Sequence, residues 1–412
     1  MKVSLFGTFD IGNFGDLMFP IIAERKLSEL GAADLTRFSY RAKRADSWCY
    51  DVETIQSFPS HIGDTQLVIV GGGHLVHFSR AMAQGYGPSD RRIPHPMGFW
   101  WVPAVAARMA GIPAALNAVS VDTSIPRWAE PLMSAFVDSL DYVAVRDVQS
   151  QHRLQRFAAT GAEIKVVPDT VHSVSDVVHR GSHSAAFREF SGRVGLGPDY
   201  VIVQPSMILR DHREAVGSLL EDALSEGFDV LELPIFREGV DVGGFYGSHR
   251  CVKTLDDWPD PLLLAEIIAN SRSVIGVSLH LSIVAAAYGI PVHRPRYSSE
   301  SKFSALDGLP GITWLESSPR LSWLDTNDAD ADLSEVEQRK HALNEHWARI
   351  YELADSQRCT GRVRGWDQIL QTPDAFRRAG GVRHGLPEVR RDASIRMRFL
   401  AHTVRTRRWR TS

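Results

Sequence analysis

Apolar residues along this chain concentrate in short segments at positions 2–6, 35–40, 66–70, 113–119, 142–145 and 164–167, unbroken at 67–70 and 142–145 and interrupted by single polar residues or pairs elsewhere. Between them lie stretches with helical spacing: from residue 16 to 30, near 102–110, near 131–140, and from 147 to about 158. Runs that stay apolar throughout, rather than alternating with polar residues, fit strands buried on both faces. Strands that alternate with helices imply βαβ units, a parallel sheet and right-handed crossovers. The alternation resumes after a polar stretch at 173–197, with strands at 200–204, 229–233 and 251–255 and helices at 213–225 and 261–270. The pattern predicts an α/β protein of two Rossmann-like domains facing each other across a cleft. The first domain is expected at 1–180 and the second at 195–330, followed by a bracing helix region at 331–375 and a basic tail at 376–412.

One stretch organises the second half. Residues 273–292 read as strand, turn, short helix, turn and strand, with Val274, Ile275 and Val277 leading into Ser278-Leu279-His280, then Ala285, Ala286 and Ala287, and a stop at Gly289. In an open parallel sheet a strand that ends in a helix N-terminus is where ligands collect, because backbone N–H groups and the helix dipole point outward there. His280 stands at that corner. Near the N-terminus, Gly7, Gly12 and Gly15 form a loop with Asn13 and Asp16; the latter is read as the cap of the following helix. This loop lacks a dinucleotide fingerprint and suits hydrogen bonds to hydroxyls. A third strand end opens into Gly71-Gly72-Gly73-His74, where triple glycine signals close approach by a ligand or by another part of the chain. Between residues 74 and 101 the sequence mixes His77, Tyr86, Arg91, Arg92, His95, Phe99, Trp100 and Trp101. Such aromatic faces with polar tips suit a sugar, and equally a packed surface loop.

Composition narrows the setting. A formal net charge of −3 over 412 residues offers no global attraction to nucleic acid. Cys49, Cys251 and Cys359 are scattered, with neither a disulfide framework nor zinc-ligand spacing, which points to a reducing compartment. The start of the chain runs directly into a strand, and the most apolar region, 98–119, is interrupted by Pro103, Arg108 and Pro113. We therefore expect a cytoplasmic protein with no metal. From Arg377 to Arg410 arginines dominate, and Ile395 with Phe399 and Leu400 with Val404 lie four apart; a basic amphipathic helix touching the inner membrane face is one reading and a solvated end the other.

Taken together, Gly12-Asn13-x-Gly15-Asp16, Gly71-Gly72-Gly73, Val145-Arg146-Asp147 with Ser150, Pro168-Asp169, and Val274-Ile-Gly-x-x-Leu-His280 ending at Gly289-Ile-Pro-Val292 resemble the polysaccharide pyruvyl transferase family. The resemblance extends from about residue 3 to 305. It implies a GT-B-like pair of domains and transfer of pyruvate from phosphoenolpyruvate, a co-substrate, to two hydroxyls of a cell-surface sugar or its precursor as a cyclic ketal, with no other cofactor. By similarity Arg146, His280 and Lys302 would meet the donor, and lipid-linked saccharides are candidate acceptors. Many members carry arginine two residues before the histidine, where this chain has Ser278; Arg294 and Arg296 are the candidate replacements. The residue types suit the chemistry. A guanidinium and an ammonium can hold a carboxylate and a phosphate, and histidine is a suitable acid to protonate the methylene carbon. Asn13, Asp16, Gly72, Gly73 and His74 are the acceptor-side candidates. A GT-B glycosyltransferase using a nucleotide sugar and a noncatalytic sugar-binding relative are the alternatives.

Overall fold

A computed structural model describes residues 1–31, 33–79, 86, 96–159, 161–237, 241, 252–296, 305–317, 320–323, 333–355 and 365–379. In it the apolar runs pair in two separate parallel sheets. The first contains β1 (Lys2–Phe6), β2 (Asp34–Ser39), β3 (Glu53–Thr54), β4 (Leu67–Gly71), β5 (Ala114–Val119), β6 (Tyr142–Val145) and β7 (Ile164–Val166). Their order across the sheet is β3-β2-β1-β4-β5-β6-β7. The helices of this half are α1 (Phe14–Leu30), α2 (Phe58–His61), α3 (Trp101–Ala110), α4 (Glu130–Asp138) and α5 (Val148–Gln155).

The second half has α6 (Ala185–Val194), β8 (Tyr200–Val203), α7 (Arg213–Ser225), β9 (Asp229–Glu232), β10 (Val252–Lys253), α8 (Pro261–Ala269), β11 (Ser273–Ile275), α9 (Leu279–Ala287), β12 (Val292–Arg294) and β13 (Ile312–Trp314). Its sheet runs β10-β9-β8-β11-β12-β13. Two further helices follow, α10 (Ser334–Leu353) and α11 (Trp366–Ala379). Both sheets start in the middle, build outward to one side and then reverse. Each therefore has a switch point, at β1/β4 and at β8/β11, where the crossing helices diverge and leave the strand ends open.

Two compact units result. One comprises Met1–Ile11, Phe19–Thr170 and the described residues from Ala342 onward; the other comprises Gly12–Met18 and Val171–His341. This corrects the expected boundaries in three places. The N-terminal glycine loop belongs to the second unit. The break in the middle of the chain falls at Thr170/Val171, and the polar stretch at 173–197, expected to hold the domain boundary, contains α6. Ser184 caps that helix by accepting from Phe187 N, Phe187 and Phe190 are buried, and Gly195 ends it at φ 63°. Glu266 on α8 receives Ser184 N (2.7 Å) and Oγ (2.6 Å). Finally, α10 is shared, passing from the second unit to the first at His341/Ala342, while Ile369 and Leu370 of α11 join the first unit's core. The expected tail beyond residue 379 lies outside the described residues.

The first core is built on aromatic stacking. Phe6 and Phe38 lie face to face at 4.8 Å, with Phe58 edge-on to both. The second is aliphatic, with Val201, Val203, Leu219, Val230 and Ile275.

One strand departs from regularity. Leu116 of β5 pairs with Val143 and Val119 with Val145, so Asn117 and Ala118 share one position opposite Ala144. Ala118 takes φ 48°, the left-handed region that an L side chain resists. Ordinary strand preference is therefore expected to invert here. Ala118→Gly should leave stability nearly unchanged, since lost packing offsets relieved strain, whereas Ala118→Val should destabilise by about 2 kcal/mol or more in chemical denaturation.

Candidate active site

In the second unit, β11 ends at Ile275 and the chain turns through Gly276, Val277 and Ser278 into α9. Ser278 is the N-cap, in extended conformation, with its Oγ accepting from Leu281 N at 3.4 Å. Ser278, which stands where the resemblance leads one to expect arginine, is thus occupied in starting the helix. His280 follows, half-buried, in the first turn of α9, where backbone N–H groups lack intrahelical partners.

The segment Gly12–Met18 is laid against these strand ends. Phe14 N donates to Ile235 O (3.1 Å), Arg237 N donates to Gly12 O (2.7 Å), and Asn13 bridges Phe236 in antiparallel fashion. The approach is so close that a Cβ on Gly15 would overlap the His280 ring, with Cε1 at 2.5 Å and Nδ1 and Cγ nearer still. A Cβ on Gly12 would overlap Arg237. Gly15 is thus needed for packing against the histidine, and Gly12 for packing against Arg237. Asn13 Nδ2 donates to Asp16 Oδ2 at 3.0 Å. Because α1 begins at Phe14, Asp16 sits in its first turn and is not the cap expected from sequence.

The strand ends are joined by two polar residues that the sequence reading missed. Gln204, just past β8, accepts from Val277 N and Ser278 N, both at 2.9 Å. Its Nε2 donates to both carboxylate oxygens of Asp241 at 2.9 Å. Asp241 Oδ2 also accepts from Ile235 N (2.8 Å) and Phe236 N (3.1 Å). Burial pushes the Asp241 carboxyl up to about 6, against the lowering effect of these hydrogen bonds.

The arginines proposed as replacements differ in position. Arg294 is fully buried, giving Nη1 to Ser282 Oγ (3.0 Å) and Nη2 to Val277 O (3.3 Å). It braces α9 from within, which corrects its expected role as a ligand-facing cation. Arg296 is exposed; its guanidinium lies 5.0 Å from the Trp314 ring centre and its N–H donates to Glu316. Lys302 lies outside the described residues.

In the first unit the switch point is formed by the ends of β1 and β4. Gly71 (φ 151°) and Gly72 (φ 108°) are required by their neighbours. A Cβ on Gly71 would lie 2.5 Å from Asn117 O, and one on Gly72 would strike the Phe19 ring. Gly73 receives Ser120 N at 2.9 Å. The glycine run, expected to face an acceptor, is explained by these internal approaches at Gly71 and Gly72.

From here a polar chain crosses the strand ends. His74 Nδ1 is 3.0 Å from Ser120 Oγ, Arg146 Nη2 donates to that Oγ at 2.9 Å, and Arg146 Nη1 pairs with Asp169 at 2.8 Å. Ser120 Oγ thus bridges the Arg146 guanidinium and the His74 ring. The Arg146 side chain is only 2% exposed and its charge is already matched by Asp169. Direct capture of a donor anion, the role the resemblance implied, does not fit this burial. Below it, Asp10 accepts from Ser39 and Tyr86, with its carboxyl raised chiefly by desolvation and the buried Tyr86 phenol raised well above its ordinary value for the same reason.

Of the two readings of the aromatic band, a sugar-facing loop or packed structure, its described residues take the second. Tyr86, Phe99, Trp100 and Trp101 are all buried, and Trp101 Nε1 donates to Leu132 O. Arg91, Arg92 and His95 lie outside the described residues. Among the described residues no group of three His, Cys, Asp or Glu side chains is arranged to hold a metal, and no helix is long and apolar enough to cross a membrane.

The polysaccharide pyruvyl transferase family model matches residues 13–298. No curated protein sequence matches the chain. Among solved structures, UDP-GlcNAc 2-epimerase from Methanocaldococcus jannaschii is similar at 11% identity and a TM-score of 0.49, over 92% of this chain and 100% of that one. The Neisseria meningitidis UDP-GlcNAc 2-epimerase bound to UDP-GlcNAc gives 12% identity and 0.49 over the same shares. An alpha-glucosyltransferase in complex with UDP and a 13-mer DNA gives 9% and 0.39, over 86% of this chain and 95% of that one.

Proposed function

The chain belongs to the polysaccharide pyruvyl transferase family and is a transferase; from that premise we propose that it moves pyruvate from phosphoenolpyruvate to two hydroxyls of a sugar in a cell-surface polysaccharide or its lipid-linked precursor. The observation that carries this reading is the placement of His280 in the first turn of α9, held against Gly15 beside Asn13 and Asp16 within one unit. A helix N-terminus favours an anion, and exposed Arg296 on the same sheet adds a cation. With Lys302 these groups suit a donor that bears both carboxylate and phosphate.

The reaction balances with the residues at hand. His280 gives a proton to the methylene carbon while one sugar hydroxyl oxygen bonds C2. The C2–O bond to phosphate then breaks and the second hydroxyl closes the ketal. Of the two hydroxyl protons, one restores His280 and the other leaves with phosphate. Asn13, Asp16 and His74 are the acceptor-side groups in this reading. Arg146, buried in its ion pair, supports His74 through Ser120.

Titration calorimetry with phosphoenolpyruvate, with a panel of UDP-sugars in parallel, tests the donor. Wild type should bind phosphoenolpyruvate, and Arg296→Ala should weaken it by about ten- to a hundredfold, the loss of one charge-assisted bond. Phosphate release in the presence of p-nitrophenyl hexosides should follow and should be lost in His280→Ala. Binding of a UDP-sugar alone would instead make the chain a nucleotide-sugar enzyme, and binding of neither would leave a noncatalytic relative.

A further inference from the structure

The site just described depends on two things being held in register: the start of α9, which carries His280, and the Gly12–Met18 segment, whose Gly15 bounds the His280 ring. Each also depends on contacts beyond its own element. The turn before α9 leaves two N–H groups, of Val277 and Ser278, beyond the last strand pair of β11. The glycine loop meets residues 235–237, beyond the end of β9.

We infer that Gln204 and Asp241 form a positioning pair that sets the imidazole of His280 for proton transfer. The geometry is that of one amide and one carboxylate joining three strand ends. Gln204 Oε1 takes both N–H groups of the α9 turn at 2.9 Å, while its Nε2 is held by both oxygens of Asp241. Asp241 in turn grips Ile235 N and Phe236 N. The opposite edge of that short segment pairs with the glycine loop, through Phe14 N to Ile235 O and Arg237 N to Gly12 O. The pair therefore holds His280 from both sides, through the backbone that carries it and through the glycine that limits its ring.

Both side chains are nearly sealed from solvent, at 4% for Gln204 and 7% for Asp241. Their acceptors and donors are matched: the amide oxygen faces only N–H groups, and the amide nitrogen faces only the carboxylate. Such a pair can be exchanged. With Glu at 204 and Asn at 241, a carboxylate oxygen still accepts from Val277 N and Ser278 N, the asparagine amide donates to the other oxygen, and its carbonyl faces Ile235 N and Phe236 N. The single changes break this matching. Gln204→Glu sets two carboxylates against each other, and Asp241→Asn sets amide hydrogens against N–H groups.

This inference rests on the proposed role of His280, and the test separates the two. Three variants are compared with wild type well below their melting temperatures: Gln204→Glu, Asp241→Asn and the double exchange. One readout is kcat and KM for phosphoenolpyruvate in p-nitrophenyl hexoside-dependent phosphate release. The other is the imidazole 1H–15N correlation of His280, assigned with His280→Gln, which needs no turnover. Each single variant is expected to lower kcat about a hundredfold, the effect of a small misplacement of an acid, with KM changed far less. The His280 resonances should move in both singles and return, with kcat, in the double exchange. Resonances that stay in place in the singles overturn the positioning pair, as does a double exchange that folds but restores neither readout. A wild type that transfers no pyruvate, while its His280 resonances respond as described, overturns the proposed reaction and leaves the positioning of His280 supported.

Discussion

Gly15→Ala is expected to lower pyruvyl transfer at least about a hundredfold while leaving the melting temperature within a few degrees of wild type. The methyl group would occupy space now filled by the His280 ring, whose Cε1 is 2.5 Å from the added carbon and whose Nδ1 and Cγ are closer. Something must give, and the mobile partner is the ring, since Gly15 is fixed in the first turn of α1 and its neighbour Phe14 is bonded to Ile235. The ring is half-buried and can turn away without opening a core. Rotation of this kind costs little stability but removes the acid from its geometry. Gly71→Ala should behave in the opposite way. There the added carbon meets the backbone oxygen of Asn117 at 2.5 Å and φ is 151°, so the sheet itself must yield and stability should fall by several kcal/mol. Measuring kcat and melting temperature for both variants decides the matter. A Gly15→Ala enzyme that keeps wild-type kcat would remove His280 from the reaction.

That contact shows where sequence reading stops. The strands and helices were legible because a parallel strand buried on both faces leaves an unbroken apolar run, as in Leu67–Gly71 or Tyr200–Val203. His280 was legible too, because a strand passing into small residues marks a helix start. Its partner Gly15 lies far away in the chain, and no local pattern joins them. The triple glycine at 71–73 signalled close approach correctly, but whether the approaching group is ligand or protein is a tertiary fact there, as it is at Gly15. For Gly15, Gly71 and Gly72 it was protein. The aromatic residues at 99–101 left a sugar-facing loop and a packed loop both open, and the complete burial of Trp100 decides for packing. In the polar stretch around α6, Phe187 and Phe190 three residues apart behind Ser184 were the available signal of a helix. Gln204 and Asp241 gave none beyond a glutamine placed directly after an apolar run.

Acid should weaken the first unit through one histidine. His346, on α10, is 2% exposed and lies between two partners, with Nε2 2.8 Å from Asn117 Oδ1 and Nδ1 3.0 Å from the Tyr142 hydroxyl. A carbonyl oxygen can only accept and a phenol can donate, so the pair is satisfied by a neutral ring with its proton on Nε2. Burial accordingly lowers His346 from 6.5 to about 3. The unfolded chain takes up a proton below about 6.5 that the folded chain refuses until about 3, so stability is lost as pH falls through this window. The loss is a little over 1 kcal/mol per pH unit, reaching roughly 4–5 kcal/mol at its lower end. His293, also lowered by burial, acts in the same direction. Asp10 and Asp241, raised by burial, act in the opposite one, since the folded state binds their protons more readily. Asp260, raised by burial as well, joins these two; the whole-protein curve mixes them all, and the contribution of His346 is isolated by difference. His346→Gln keeps a donor for Asn117 and an acceptor for Tyr142 but does not titrate. It should be less stable than wild type at pH 7.5, and the gap measured by denaturation should narrow by a little over 1 kcal/mol for each pH unit below about 6. Parallel curves from pH 7.5 to 4.5 would mean that the ring is protonated in the folded state, and that the bond to Asn117 tolerates a charge the burial argues against.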